Sequence, residues 1–196
     1  MSYEALPEHE IAAVVTYLDM RSQLRELVPW SELTLDRVEV PEPQHYRDLF
    51  RRIGAPWLWF SRLILDDAHL AEIIQHPKVE LYCVRNLDRS EVGLVELDFR
   101  EPNECELAFI GLVPELSGKG NGRWLIAEAV SRAWREGVSR VHVHTCSLDH
   151  PAALSAYRRA GFIPYKRAIE RFTDPRHLGY LPKDCAPQVP LLGTDG

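Results

Sequence analysis

The sequence predicts an α/β protein with one main domain, and two observations carry this prediction. Stretches in which apolar residues alternate, as in strands, take turns along the chain with stretches in which apolar residues recur at helical spacing. A glycine-rich segment, residues 117–122, joins one predicted strand to an amphipathic helix. At 196 residues the chain is long enough for one domain with a substantial core and short for two independent ones.

The first thirty-two residues are predicted to be a helical extension, and the last part an irregular tail. Ile11, Val14, Val15 and Leu18 recur at helical spacing, as do Leu24, Leu27 and Val28 before a proline. The tail contains prolines at 175, 182, 187 and 190, so we expect it to lie irregularly on the surface or to be partly disordered. The predicted division is therefore 1–32, a main domain at 33–173, and a tail at 174–196.

The main domain contains strand and helix patterns in alternation, each bounded by a turn or cap signal. In its first half we predict a strand at 34–40, a helix from about Gln44, a helix capped by Asp66 or Asp67, and a hairpin of strands 79–85 and 91–99. In its second half we predict a strand at 104–113, a helix ending before Gly137, a strand at 139–145, a helix from about Asp149 to Gly161, and a strand at 165–172.

Composition excludes several classes of function. Hydrophobic residues make up 45% and charged residues 27% of the chain, which is typical of a globular protein. The net charge of -6 and the scattered basic residues argue against a nucleic-acid partner. The cysteines lie far apart without a CxxC pair, so we predict no metal site or disulfide framework and expect a reducing cytoplasm. With a polar N-terminus and no apolar run of about 18 residues, we expect neither secretion nor membrane insertion.

The glycine-rich segment predicts a phosphate site. A strand-to-helix junction directs backbone N–H groups and the positive helix end at an anion, and glycines let phosphate oxygens approach the main chain. Gly118, Gly120 and Gly122 form a GxGxG pattern, which fits neither the P-loop nor the dinucleotide fingerprint. A plain strand-to-helix turn is the alternative.

This segment resembles the acyl-CoA loop of the GNAT superfamily, whose pattern is a proline, two variable residues, Gln or Arg, and then GxGxG. Pro114 begins the same spacing here, but Ser117 stands at the Gln/Arg position. Ser117 removes a long side chain from the pyrophosphate region, and Lys119 and Arg123 are candidate compensating cations.

A second element is similar to the superfamily pattern Asn-x-x-Ala-x-x-x-Tyr-x-x-x-Gly-Phe. His150 takes the place of Asn, followed at the same spacing by Ala153, Tyr157, Gly161 and Phe162. The resemblance covers roughly residues 33–172. It implies a twisted mixed central sheet flanked by helices, in which the parallel strands at 104–113 and 139–145 splay apart.

The resemblance also implies acetyl-CoA as co-substrate and a set of residues around it. The implied contacts are Leu112, Val113, Ser117, Gly118, Lys119, Gly120, Asn121, Gly122, Arg123, His150, Ala153 and Tyr157. A main-chain N–H near Leu112, where the strand is distorted in this fold, is expected to meet the oxyanion.

Acyl transfer to an amine needs a proton acceptor, because an alkyl ammonium has a pKa near ~10.4. Strand alternation puts Glu104, Glu106 and Ala108 on one face and Cys105, Leu107 and Phe109 on the other. We favour Glu106 as the base, then Glu104, then Glu96. The alternative for each is a solvated strand edge or a surface ion pair.

Tyr157 is the candidate general acid for the departing thiolate, with an amphipathic core tyrosine as the alternative.

His142, His144 and His150 could suggest a metal site, but structural or acceptor-site roles are favoured. Trp57, Trp59 and Phe60 fall where the superfamily often builds its acceptor pocket, and core packing explains them equally well.

The leading hypothesis is an N-acetyltransferase acting by direct attack on a primary amine of a small molecule or peptide. One alternative is a non-catalytic acyl-CoA-binding module, of which Ser117 and His150 would be the signature. Another is an acyltransferase acting on a protein or aminoacyl-tRNA, which the acidic balance disfavours. The acceptor and the oligomeric state stay open, a homodimer being one alternative.

Overall fold

The computed structural model describes residues 4–23 and 27–193, and they form a mixed sheet with helices packed on it. In chain order the elements are strands β1 Glu10–Met20 and β2 Thr34–Val38, helices α1 Pro43–Gly54 and α2 Asp67–Ile74, strands β3 Val79–Arg85, β4 Glu91–Asp98 and β5 Glu104–Leu112, helix α3 Asn121–Ala133, strand β6 Arg140–Cys146, helix α4 Ala153–Arg159 and strand β7 Ile163–Thr173. Short 3-10 turns occupy Ala55–Trp57 and Pro114–Leu116. The α/β class predicted from the sequence is confirmed.

The sheet has seven strands in the order β2-β3-β4-β5-β6-β1-β7. Strands β5 and β6 are parallel, and the other neighbouring pairs are antiparallel. The parallel pairing runs only from Glu104 opposite Arg140 to Glu106 opposite His142, after which the two strands separate. The predicted splay at the centre of the sheet is therefore confirmed, and it leaves a wedge-shaped cleft.

The prediction of a helical N-terminal extension is wrong, because residues 10–20 form β1 inside the sheet. This strand pairs with β6 on one side and β7 on the other, with Val15 opposite both Cys146 and Ala168. Leu18 and Met20 are buried, whereas Val14 is 49% exposed, so the apolar residues do not share one helical face. Hydrogen bonding to a strand on each edge outweighs the helical spacing of the apolar residues in this segment. In addition, β-branched residues such as Val14 and Val15 suit a strand. Leu24, part of the same prediction, lies outside the described residues.

A β-bulge in β5 changes which side chains share a face. Glu106 pairs with Asp98 and Leu107 with Leu97, but Glu96 pairs with Phe109, which leaves Ala108 as the extra residue. Phe109 consequently lies on the same face as Glu106, and the strict alternation predicted for this strand is wrong beyond Leu107. The distortion also lies at Ala108 rather than near Leu112, where the pairing with β4 is regular.

The helices cover opposite faces of the sheet. Tyr46 of α1 reaches Glu96 on one face, while Arg132 of α3 lies over the ring of Tyr82 on the other. Helix α2 is capped by Asp66, whose carboxylate accepts from the His69 backbone N–H at 2.9 Å, in agreement with the sequence. Among the described residues, no helix combines the length and the apolar character needed to cross a bilayer.

The described part of the tail has no helix or strand, as predicted, but it is packed rather than loose. Asp174 and Arg176 form a buried ion pair at 2.7 Å. Arg176 also donates to the carbonyl oxygens of Cys185 at 3.1 Å and Val189 at 2.9 Å. Together with buried Leu181, these contacts tie the segment after β7 to the domain.

Candidate active site

A cavity of about 1400 Å³ occupies the cleft between β5 and β6. It extends from the glycine-rich loop at the start of α3, past the bulge of β5 and the start of α4, to the aromatic segment after α1. The predicted site residues that line it are Glu106, Leu112, Ser117, Gly118, Gly120, Gly122, Arg123, His150, Ala153 and Tyr157. Glu104, Val113, Lys119 and Asn121 are not among the lining residues.

The glycine loop has a backbone that requires glycine and open space in front of it. Gly118 and Gly120 have φ angles of 78° and 81°, which side chains other than glycine rarely adopt. A Cβ at Gly118, Gly120 or Gly122 would meet no atom within 4 Å. Gly122 lies inside the first turn of α3, where neither φ nor crowding demands glycine. Its lack of a side chain fits a ligand lying against the loop, since the first backbone N–H groups of α3 have no helical partner.

Three side chains bear on how this loop could hold a ligand. Asn121 donates from Nδ2 to the Leu116 carbonyl oxygen at 3.1 Å, so it shapes the loop. Arg123 lines the cavity, and Arg159 of α4, which the sequence patterns did not single out, lines it as well. Both guanidinium groups could serve an anion beside the loop, where Ser117 offers no positive charge.

Asp149 fixes the junction between β6 and α4. Its Oδ2 accepts from the Thr145 hydroxyl at 2.7 Å and from the Cys146 backbone N–H at 2.8 Å. Its Oδ1 accepts from Trp59 Nε1 at 3.1 Å. This hydrogen bond connects the aromatic segment after α1 to the junction between β6 and α4. Asp149 therefore positions both the start of the Tyr157 helix and one wall of the cavity. The sequence predicted that the helix opens at about Asp149, but it begins at Ala153 with Ala152 as its N-cap.

Tyr157 is buried on α4 and lines the cavity. Its ring packs edge-on against Phe162 with centroids 5.9 Å apart. Burial raises the pKa of the hydroxyl well above its ordinary value, with the nearby Asp149 carboxylate adding to the effect. The phenol is therefore protonated at neutral pH, as a proton donor must be.

The two carboxylates of β5 have different partners. Glu106 lines the cavity and its Oε1 lies 3.2 Å from His144 Nδ1. Glu104 accepts from Arg140 Nη1 at 2.8 Å and lies 3.5 Å from His142 Nε2. The hydrogen bond with His144 lowers the pKa of Glu106, despite partial burial. Glu104 is thus held in an ion pair at the closed end of the cleft, and Glu106 lies at its open end.

Glu96, the third carboxylate considered, is fully buried beside the cavity rather than in it. It accepts from the Tyr46 hydroxyl at 2.6 Å and from Arg62 Nη2 at 2.7 Å. The Arg62 guanidinium lies 4.9 Å from the centre of the Phe109 ring, and its Nε has no hydrogen-bond partner among the described residues. Glu96 therefore positions Arg62, which itself lines the cavity.

The far end of the cavity combines aromatic and charged side chains. Trp57, Trp59 and Phe60, for which the sequence left acceptor pocket and core packing open, line it. Phe60 packs on Phe172 with ring centroids 4.9 Å apart. Charged residues that the sequence patterns did not single out also line it. They are Arg62, Asp98, Arg100 and Glu170.

Among the described residues, the site shows neither an ionised cysteine nor a metal-binding cluster. Cys146 lines the cavity, but burial raises the pKa of its thiol to about 11, so the thiolate is scarce at neutral pH. Within residues 4–23 and 27–193, no group of three or more His, Cys, Asp and Glu side chains is arranged to hold a metal ion.

Comparison with known proteins adds a family relationship. A model described as the acetyltransferase (GNAT) family matches residues 39–162. Over 94 residues the chain is 35% identical to a mycothiol acetyltransferase of Jonesia denitrificans, covering 46% of this chain and 29% of the relative. The chain thus spans less than a third of that curated relative.

Solved structures share the fold at low sequence identity. A GCN5-related N-acetyltransferase from Sphaerobacter thermophilus superposes with a TM-score of 0.59 at 15% identity, covering 82% of this chain and 51% of the other. Spermidine N-acetyltransferase from Vibrio cholerae, in complex with CoA and spermine, superposes with a TM-score of 0.56 at 20% identity, covering 75% and 98%. This chain spans about half the length of the Sphaerobacter protein.

Proposed function

The chain belongs to the GNAT acetyltransferase family, and from that premise we propose that it transfers an acetyl group from acetyl-CoA to a primary amine by direct attack. The observation that carries the proposal is a single cavity that joins the glycine loop of α3, the splayed β5 and β6, and Tyr157. An anion-binding loop, an unpaired strand edge and a proton donor in one cleft suit a long phosphorylated thioester.

The residues that would hold acetyl-CoA are those of the loop and its neighbourhood. The backbone of residues 117–122 would meet the pyrophosphate, with Arg123 as a cation beside it. The open space in front of Gly118, Gly120 and Gly122 fits a ligand there. When bound, acetyl-CoA supplies an activated acyl group. The strand edges left unpaired by the splay would accommodate its amide-bearing arm.

The catalytic groups follow from the same geometry. Tyr157 would protonate the departing thiolate, because its hydroxyl is protonated at neutral pH and makes no competing hydrogen bond with the described residues. Glu106, rather than Glu104, would assist removal of the acceptor's proton, directly or through a neighbour, because it lines the cavity and Glu104 does not. The protonated Cys146 thiol supports direct attack over an acyl-cysteine intermediate.

The acceptor end of the cavity suits an amine that carries an apolar group. Trp57, Phe60 and Phe172 provide aromatic surface, while Glu106 and Glu170 provide carboxylates that attract an ammonium group before it is deprotonated. A small molecule or a peptide terminus would fit this description.

Thermal stabilisation by CoA tests the proposal directly. Saturating CoA at about a hundredfold over its Kd adds about 2.7 kcal/mol to the free energy of unfolding, so the Tm of the wild type should rise by several degrees. Gly120→Asp should abolish the shift, because it places a side chain and a negative charge where the phosphates would lie. Gly137→Asp is the matched control: Gly137 has a φ of 87° and open space in front of it, but lies outside the cavity.

Three results would be decisive. No shift in the wild type at millimolar CoA contradicts the proposal. An equal shift in Gly120→Asp places the ligand elsewhere. A normal shift without acetyl transfer to any amine of a broad panel would favour the alternative of a non-catalytic acyl-CoA-binding module.

A further inference from the structure

We infer that the group that takes the acceptor's proton is the His144 imidazole, and that Glu106 holds and polarises this ring. The inference rests on the proposed acetyl transfer and names the base within it. His144 lies on β6 two residues beyond His142, the last residue of the parallel pairing with β5. It therefore lies where the two strands have begun to separate, and it lines the cavity with 48% of its side chain exposed.

The ring geometry assigns a role to each nitrogen. His144 Nδ1 lies 3.2 Å from Glu106 Oε1, so Nδ1–H donates to the carboxylate and Nε2 carries the lone pair. The ring is further held against Tyr17, with centroids 5.7 Å apart and planes inclined by 38°. A carboxylate that fixes the tautomer and stabilises the imidazolium is the arrangement that makes a histidine an effective base.

The charged groups around His144 favour its cation overall. The hydrogen bond with Glu106 raises the pKa of His144, partial burial opposes this, and the carboxylates of Asp149 and Glu170 add to the rise. His142 on the same strand has its pKa lowered by burial. From β1 and β7, Tyr17 faces the ring and the Lys166 ammonium lies 4.8 Å from the centre of the Tyr17 ring.

These environments separate the two candidate bases. A general base works best when its pKa lies near the working pH. The pKa of Glu106 is displaced downward by the bond with His144, away from neutrality, whereas that of His144 is displaced upward from 6.5. The imidazole is thus the better proton acceptor of the pair.

The proton balance of the step is complete. The acceptor ammonium first loses one proton to solvent. The neutral nitrogen then attacks the thioester carbon, the N–C bond forms and the C–S bond breaks. The N–H proton moves to His144 Nε2, and the CoA thiolate takes the hydroxyl proton of Tyr157. Solvent then returns a proton to Tyr157 and removes one from His144.

Titration of the histidines by NMR tests the pair without turnover. In protein labelled at histidine Cε1, with the His144 signal assigned by its loss in His144→Gln, the wild-type pKa should lie above 6.5. Glu106→Gln should lower it by about one unit, since an opposite charge at this distance shifts a pKa by one or more. His142→Gln, on the same strand face but outside the cavity lining, should leave the His144 pKa nearly unchanged. An unchanged His144 pKa in Glu106→Gln would overturn the inference.

The pH dependence of turnover provides the second test, with acetyl-CoA, a panel of small primary amines, and release of CoA thiol as the signal. Wild-type kcat/KM should fall toward low pH with a midpoint at the His144 pKa, and Glu106→Gln should move this midpoint to lower pH. His144→Gln should lower turnover roughly a hundredfold while CoA stabilisation persists. If His144→Gln keeps full turnover and Glu106→Gln abolishes it, Glu106 itself is the base. Absence of both CoA stabilisation and turnover in the wild type would instead contradict the proposed acetyl transfer. The NMR titration alone would then show whether Glu106 and His144 interact as inferred.

Discussion

At the scale of single residues, motif spacing predicted the groups of the site that come from contiguous sequence. Tyr157 and Gly120 fall in local patterns whose chemistry can be stated without a structure. Arg62, Asp98 and Glu170 could not be predicted in the same way. They come from three distant segments, each is an ordinary polar residue in its own surroundings, and only the folded sheet brings them to one cavity.

Replacing Tyr157 by Phe isolates the hydroxyl, because the ring and its packing on Phe162 are kept. We expect turnover to fall by roughly ten- to a hundredfold, at or below the low end of the usual range for general-acid catalysis, since a thiolate is a tolerable leaving group. CoA affinity should stay nearly constant, because the lost interaction belongs to the transition state. Steady-state kinetics and CoA-dependent Tm provide the two measurements.

Tyr165→Phe is the matched control for this substitution. Tyr165 is half exposed and does not line the cavity, so loss of its hydroxyl should leave turnover unchanged. Full activity of Tyr157→Phe in an assay limited by chemistry would reduce Tyr157 to a core residue.

At the scale of the elements, the sequence predicted those whose pattern is decided locally. The cap of α2 at Asp66 and the hairpin of β3 and β4 agree with the structure closely. Strand β1 and the bulge at Ala108 could not be read from spacing alone. The first is decided by pairing with strands more than a hundred residues away, and the second by the register between two strands.

Two alanine substitutions distinguish the strand β1 from a helix at the same residues. Leu18 is fully buried, so Leu18→Ala should lower the free energy of unfolding by about 2 to 5 kcal/mol. Val14, four residues earlier and 49% exposed, should tolerate Ala with a change within about 0.5 kcal/mol. In a helix, Leu18 and Val14 would lie on one face, and the two substitutions would lower the free energy of unfolding by similar amounts. Urea denaturation of the three proteins gives the comparison, and equal losses would contradict the strand.

At the scale of the whole molecule, the sheet consists of two antiparallel parts joined by a short parallel seam between β5 and β6. Ion pairs line this seam, including Glu104 with Arg140. The tail is held by the buried pair of Asp174 and Arg176. Its prolines predicted the lack of regular structure, but not this packing, because the partners are carbonyl groups that no sequence pattern identifies.

Asp174→Asn tests how strongly the tail is attached. At neutral pH we expect a loss of about 3 kcal/mol, the low end for breaking a buried pair, because the amide keeps one acceptor oxygen for Arg176. For a chain of this length that corresponds to a fall in Tm of roughly 6 to 12 °C. Asp48→Asn is the control, since its pair with Arg51 is exposed and should contribute at most about 1 kcal/mol.

The effect of Asp174→Asn should depend on pH in a defined direction. Burial opposes ionisation of Asp174, but hydrogen bonds from the Arg176 side chain and backbone outweigh it and lower the pKa below 3.8. The stabilisation is therefore present above pH 3.8 and is lost as the pH falls through the folded-state pKa. Thermal melts should show a constant difference between the two proteins from pH 5 to 7 that shrinks in more acidic buffer. A difference that grows on acidification would contradict this assignment.

The position of β1 has a consequence for how the chain reaches its native state. Strands β3, β4 and β5 follow one another along the chain and can pair by short hairpin closures, which form early, whereas β2 is joined to β3 through α1 and α2. The other part of the sheet needs β1 between β6 and β7, with Val15 opposite Cys146 and Glu10 opposite Thr173. During synthesis, we therefore expect the β1 segment to stay unpaired until β6 and β7 have emerged. The cleft lies between the two parts of the sheet, so we expect it to be completed only when the second part has formed.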